Sequence, residues 1–338
     1  MPRVLLLHTG GTLGMAGRRP HGLRPAEFHR TLRRRAPELF DLAELEFELF
    51  SNLDSAEMQP ELWTDMAVHL HHRLDDFDGA VVTHGTDTLA YTAAALSFML
   101  AGLDKAVVLT GSQRPLGEIR SDARLNLIDA VTSALRGPRE VTVCFDSKLL
   151  RGNRVRKVKV SEYDAFESPN FPLLGTLGVE ARFAEGLRRR GKRSLRAGLV
   201  PRVFLLKTHP GMDPALPLSL LPHVEGLVVE AYGAGNVPVD GRHGRSLRPL
   251  LAEARKRRVP VVLTSEAHRG EVDLTLYEPG VVAAEEGAIS GGDLTSSAAL
   301  VKLMHALAHH PGLDRVRAYM ERDVCGERTD GRARPPVA

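Results

Sequence analysis

Cysteine is almost missing from this chain. Cys144 and Cys325, the only two in 338 residues, cannot build a disulfide framework or a thiolate zinc site, and their scarcity fits a reducing compartment. No apolar run is long enough for a membrane span. The first one, Val4 to Leu7, is strand-sized and stops at His8, without the apolar region or cleavage site of a secretory leader, so a cytoplasmic location is expected. Neither sign of charge dominates: 45 basic and 42 acidic residues leave a formal +3, which argues against nucleic acid as the main partner. The 14 histidines lack a ligand spacing. His305, His309 and His310 fall on a late polar helix and read as surface residues, so no metal is expected. The glycines after the first strand, Gly10-Gly11-Thr12-Leu13-Gly14, do not form G-x-G-x-x-G, so a dinucleotide match is weak and no cofactor is implied.

The chain is too long for one typical core and comfortable for two domains. Its organising stretch is Val81-Val82-Thr83-His84-Gly85-Thr86-Asp87-Thr88-Leu89. A β-branched apolar run enters a turn of small polar residues, and an Ala/Leu-rich helix leaves it, with Gly102 placed as a C′ glycine. Such a turn aims backbone N–H groups at a helix N-terminus, where anions and developing negative charge are stabilised. Taken alone, Asp87 reads as a helix cap. A second strand-then-turn, Thr9-Gly10-Gly11-Thr12, raises the possibility of a paired site.

Strands are expected at Val4 to Leu7, Leu45 to Phe50, Ala80 to Val82, Ala106 to Leu109 and Val141 to Phe145. Helices are expected from about Pro25, from Pro60 to Leu74, from Leu89 to Leu100 and from Ser121 to Leu135. Strand–helix alternation of this kind predicts a doubly wound parallel α/β sheet. Ligands of such sheets bind beyond the carboxyl ends of the strands, where Thr12, Asp54-Ser55, Thr86-Asp87 and Ser112 lie. The glycine-rich, basic stretch between Thr12 and Pro25 reads as a lid. Alternating apolar and basic residues from Val155 to Val160 suggest a hairpin, and any of Lys148, Lys157 and Lys159 could point inward. An Arg/Lys/Gly/Ser-rich segment reads as a linker over residues 185–202, between a catalytic α/β domain (1–184) and a smaller α/β domain with a parallel sheet (203–338). The second domain is expected to have strands at Val203 to Leu206, Gly226 to Val229 and Val261 to Leu263, and helices near Arg248 to Arg257 and Leu294 to His310. Arg328 to Ala338 reads as a disordered end.

A threonine hydroxyl needs a base and an oxyanion site to act as a nucleophile. Thr86, Asp87 and one partly desolvated lysine would supply a hydroxyl–amine–carboxylate relay. Two threonines suggest acyl transfer in two halves, a threonine ester that forms and is then cleaved by water. Asp87 could also hold a substrate ammonium, and Ser55 with its loop N–H groups a carboxylate. This outlines a small zwitterion with a side-chain amide.

At these positions the chain resembles the type I, cytoplasmic L-asparaginases over nearly its whole length. The motifs are Thr9-Gly10-Gly11-Thr12-Leu13-Gly14-Met15, His84-Gly85-Thr86-Asp87-Thr88-Leu89-Ala90-Tyr91-Thr92-Ala93, Leu109-Thr110-Gly111-Ser112-Gln113, Arg120-Ser121-Asp122 with Asn126-Leu127, Arg151-Gly152-Asn153-Arg154 and Tyr232-Gly233-Ala234-Gly235-Asn236. The resemblance implies Thr12 as primary nucleophile and Thr86, Asp87 and Lys157 as a second triad. It assigns Asp54, Ser55 and Ala56 to the substrate's α-carboxylate and amine. Asn236 is implied to approach from a neighbouring subunit, hence a homodimer or dimer of dimers with the site at the subunit interface. Three departures stand out. Leu23 replaces the family's lid tyrosine, Ala56 replaces a polar residue, and Arg156, Glu230 and Ala267 replace the threonine, arginine and cysteine with which some members bind activating asparagine. The related tRNA-dependent glutamine amidotransferase subunit carries an extra N-terminal domain, whereas this sequence opens on the first strand. A pocket that binds an amino acid without catalysis is the reading Leu23 would favour.

Overall fold

The computed structural model describes residues 1–16, 21–22, 25–184 and 193–329, with backbone alone at 16, 21, 22, 25 and 26. It divides into two compact units, Met1–Ala197 and Gly198–Ala338. Residues 185–192 of the expected linker lie outside the described residues, and Ser194–Leu195 pairs antiparallel with Leu100–Ala101 in the first unit.

The first unit holds an eight-stranded sheet. Its parallel part runs Glu44–Leu53, Arg3–Gly10, Gly79–Thr83, Ala106–Thr110, Val141–Phe145 across the sheet. Numbered by chain order these strands read 2-1-3-4-5, so the winding reverses between the first and third. Strands buried on both faces need unbroken apolar runs rather than alternation. Gly79–Thr83 and Ala106–Thr110 fit, since every residue of each is buried. Helices Ala123–Arg136 and Pro25–Arg35 cover one face through Phe28, Leu32, Leu127, Ala130 and Val131. Helix Leu89–Met99 buries all but one of its residues, which its Ala/Leu composition permits, and Gly102 follows at φ +66°.

Beyond Val141–Phe145 the sheet turns antiparallel through Lys148–Arg151, Gly175–Leu177 and Ala181–Phe183. The expected parallel sheet is thus a mixed one. Strands of three or four residues are too short to show a hydrophobic period. The expected hairpin is present as Arg156–Lys157 paired antiparallel with Phe166–Glu167.

The second unit has a four-stranded parallel sheet in the order Val203–Lys207, Gly226–Ala231, Val261–Ser265, Ile289–Ser290. Helices Arg248–Arg257 and Ser296–His309 fall where the sequence placed them. Two expectations fail. His305 is not a surface residue: it is 1% exposed, and its Nδ1 lies 2.9 Å from the Tyr319 hydroxyl, because helix Leu313–Glu321 packs on the face that looked polar. The expected disordered end fails at its first two residues, since Arg328 donates to the Ser290 carbonyl and Thr329 to Asp293, while residues 330–338 lie outside the described residues. Nearby, Lys302 and Glu327 form a wholly buried ion pair at 2.6 Å. Lys302 also donates to the carbonyls of Met320 and Arg322, and Glu327 accepts from the N–H groups of Val324 and Cys325.

Candidate active site

Chain reversal puts a crevice at the carboxyl ends of Arg3–Gly10 and Gly79–Thr83. The turns leaving these strands carry Thr12 and Thr86, and their backbones touch at glycines. A Cβ on Gly11 would lie 2.5 Å from both the Cα and the N of Gly85. Gly11 itself adopts φ +81°, ψ 176°, a region essentially closed to other residues. A Cβ on Gly85 would strike the Ser55 hydroxyl at 2.6 Å, and one on Gly111 the His84 carbonyl at 2.4 Å. Four loops far apart in sequence, at 10–12, 53–56, 83–88 and 110–114, therefore converge. Thr88 adds a bond from its hydroxyl to the Ser55 carbonyl at 2.7 Å.

Within this crevice Lys157 Nζ donates to Thr86 Oγ1 at 2.9 Å and pairs with Asp87 Oδ1 at 2.6 Å. The Lys157 side chain is 18% exposed and that of Asp87 67%, so the amine sits in a drier place than its carboxylate. The other two lysines face elsewhere: Lys159 is bound by Glu162 and Asp164, and Lys148 lies 3.5 Å from Asp146. Asp164 and Glu162 hold the Lys159 ammonium in its charged form, with its pKa raised. The Thr86–Lys157–Asp87 arrangement, with Lys157 as its neutral amine, can withdraw a proton from the Thr86 hydroxyl or, through it, from a water.

Among the described residues the N–H groups of Thr12, Thr86 and Asp87 donate to no backbone carbonyl, leaving them for an oxyanion or carboxylate. Asp54 caps the turn Ser55–Glu57 by accepting the Ala56 N–H at 2.9 Å, and Ser55 is buried beside Gly85. Asn236 belongs to the second unit, in a tight bridge in which Tyr232 and Asn236 exchange backbone bonds of 3.0 and 2.9 Å. Leu23 lies outside the described residues.

Two buried histidines, His8 and His84, brace the crevice, a role the sequence did not disclose. His84 Nδ1 donates to the Gly85 carbonyl at 2.7 Å, which leaves Nε2 to accept from the Thr92 hydroxyl at 2.9 Å. His8 meets the Thr83 hydroxyl at 2.7 Å, stacks on Phe28 at 4.3 Å and fills the space a Gly14 Cβ would need. Burial lowers both imidazoles to about 4, so both are neutral at physiological pH.

Two family models match the chain: "Asparaginase, N-terminal" over residues 3–188 and "Glutaminase/Asparaginase C-terminal domain" over 202–320. Relatives include an L-asparaginase of Thermococcus kodakarensis, 38% identical over 97% of this chain and 99% of the relative. L-asparaginase 1 of Escherichia coli is 35% identical over 96% and 98%. A glutamyl-tRNA(Gln) amidotransferase subunit of Methanobrevibacter smithii is 32% identical over 96% of this chain but 76% of its own length. Among solved structures, the thermostable L-asparaginase of T. kodakarensis superposes with a TM-score of 0.90 at 38% identity, covering 97% of this chain and 99% of the other. A probable cytoplasmic L-asparaginase of Campylobacter jejuni gives 0.79 at 28%, covering 95% and 99%.

Proposed function

The chain belongs to the asparaginase family, and from that premise we propose that it is an L-asparaginase, hydrolysing L-asparagine to L-aspartate and ammonia through a threonine acyl-enzyme. The observation that carries this reading is the Thr86–Lys157–Asp87 cluster beside the turn that presents Thr12.

Thr12 Oγ attacks the side-chain amide carbon, and free N–H groups of the converging turns stabilise the oxyanion. The C–N bond breaks, the hydroxyl proton leaves with ammonia, and an aspartyl ester remains on Thr12. Lys157, hydrogen-bonded to Thr86 and held by Asp87, then draws a proton through the Thr86 hydroxyl from a water that cleaves the ester. Asp54, Ser55 and Ala56, on a turn held by the Ala56 N–H bond to Asp54, bind the α-carboxylate and amine. Asn236 of a neighbouring subunit completes the site in a homodimer or dimer of dimers. The protein works in the cytoplasm, a reading supported by its neighbour of that description and by its two cysteines, both buried thiols outside any disulfide.

The test is ammonia release from asparagine and glutamine by the purified protein and by Thr12→Ala and Thr86→Ala. The reading requires release from asparagine and loss of most activity in each variant. Tight asparagine binding by calorimetry without ammonia would instead identify an amino-acid-binding protein that kept the pocket.

A further inference from the structure

Lys157 reaches Thr86 on a slender support. Its strand is two residues long, Arg156–Lys157; among the described residues it pairs with Phe166–Glu167, and the Val158 N–H adds one bond to the Ala165 carbonyl at 2.8 Å. A two-residue ladder is too short to hold a register by itself. The tip of the connecting segment, residues 160–162, is exposed, with Val160 83% exposed, while Ala165 at its far end is buried.

Gln113 grips this segment from outside the hairpin. Its side-chain amide donates to the Val160 carbonyl at 2.9 Å and to the Glu162 carbonyl at 2.8 Å, so both amide protons are used. The backbone behind Gln113 is fixed in turn. The N–H groups of Gln113 and Arg114 donate to the Asp122 carboxylate at 3.0 and 3.1 Å. Asn126 Nδ2 bonds both Asp122 Oδ2 and the Gly111 carbonyl at 3.0 Å. Gly111 closes the circuit, since a Cβ there would be 3.7 Å from the Thr86 methyl. One strand-end turn therefore packs against Thr86 and also holds the hairpin that delivers the lysine. Tyr163 adds a bond from its hydroxyl to the Arg120 carbonyl, and Lys159 ties Glu162 to Asp164 within the segment.

We propose that Gln113 is a positioning residue whose carboxamide, braced by Asp122 and Asn126, clamps the 158–165 hairpin so that Lys157 stays bonded to both Thr86 and Asp87. This rests on the asparaginase reading for its kinetic arm alone. Lysine has a flexible four-carbon stem, so the place of its amine depends on where its Cα is held. Small misplacement of a catalytic group slows chemistry more than it weakens binding.

Gln113→Met keeps the length of the side chain and removes both donors, while Gln113→Lys restores donors at similar reach. In Gln113→Met, kcat for asparagine should fall roughly 10- to 100-fold with KM changed less than about threefold. Amide exchange over 157–165 should quicken while that of 79–83 stays unchanged. Gln113→Lys should recover most of kcat and slow the exchange again. An unchanged kcat in Gln113→Met overturns the proposal. So does an equal loss in both variants, or a raised KM with kcat kept, which would make Gln113 a substrate contact. If the wild-type protein releases no ammonia, the asparaginase reading fails by itself, and exchange still judges the clamp: no quickening over 157–165 overturns it. Should Gln113→Met fail to fold, Gln113→Glu keeps the shape and removes both donors; a slowed kcat with quickened exchange over 157–165 supports the clamp, and both unchanged overturn it.

Discussion

Adding one methyl group at Gly11 is expected to damage this protein twice. The first cost is conformational: alanine at φ +81°, ψ 176° occupies a region that costs roughly 1–3 kcal/mol. The second is steric. The new Cβ would stand 2.5 Å from Gly85 Cα and N, where ordinary contact begins at 3.4 Å, and both atoms are backbone that cannot rotate away. The two turns must part by about 1 Å, and a displacement of that size at reacting groups costs about 100-fold in rate. Gly11→Ala should therefore lower Tm by roughly 3 to 10 °C and kcat by about 100-fold, with the folded protein still recovered. Thermal unfolding and ammonia release measure the two effects separately. A variant that keeps kcat within about threefold of wild type would refute the packing of the two threonine turns.

Lys157→Met should cut kcat by about 100- to 10,000-fold. It should hardly move Tm, because a pair with so exposed a carboxylate is worth about 1 kcal/mol at most; unfolding scans check this. Lys302→Met strands the buried Glu327 and should destabilise by about 3–5 kcal/mol, while Lys302→Met/Glu327→Leu should lose less, as read by denaturant unfolding. Burial alone would raise the Glu327 carboxyl, but the Lys302 ammonium and two backbone N–H groups bring it below the ordinary carboxylate value. Since its folded pKa lies below the ordinary 4.5, its stabilisation is full above that pH and is lost as pH falls through the lowered value; Glu327→Gln should flatten stability over that acid range. Asp129 is the opposite case, raised by burial from 3.8 to about 6, so its contribution is lost as pH rises through 6. Asp129→Asn should then stabilise the protein at pH 8, on the order of 1 kcal/mol. Finally, with Glu230 and Ala267 where an activating asparagine would need an arginine and a cysteine, the rate should rise hyperbolically with asparagine; a sigmoidal curve contradicts this.

Much of the fold was legible because buried parallel strands and Ala/Leu-rich helices write long, unbroken signals. Val141–Phe145 and Arg248–Arg257 fall where composition placed them. Strands Gly175–Leu177 and Ala181–Phe183 were illegible because three residues carry no period. His305 misled because its helix looks polar until Tyr319, fourteen residues away, covers it. At the site, residue chemistry narrowed the amine to three lysines, and only the register Lys157↔Phe166 aims one of them at Thr86. The grip of Gln113 on 160 and 162 could not be read at all, since a glutamine bonding two backbone carbonyls leaves no mark in their side chains.

The most direct test of the central claim is covalent. An asparagine analogue with a diazoketone in place of its side-chain amide should label the nucleophilic hydroxyl, and peptide mass spectrometry should find the label on Thr12, with labelling lost in Thr12→Ala. A label on Thr86, or no specific label in a protein that still releases ammonia from asparagine, would contradict the account.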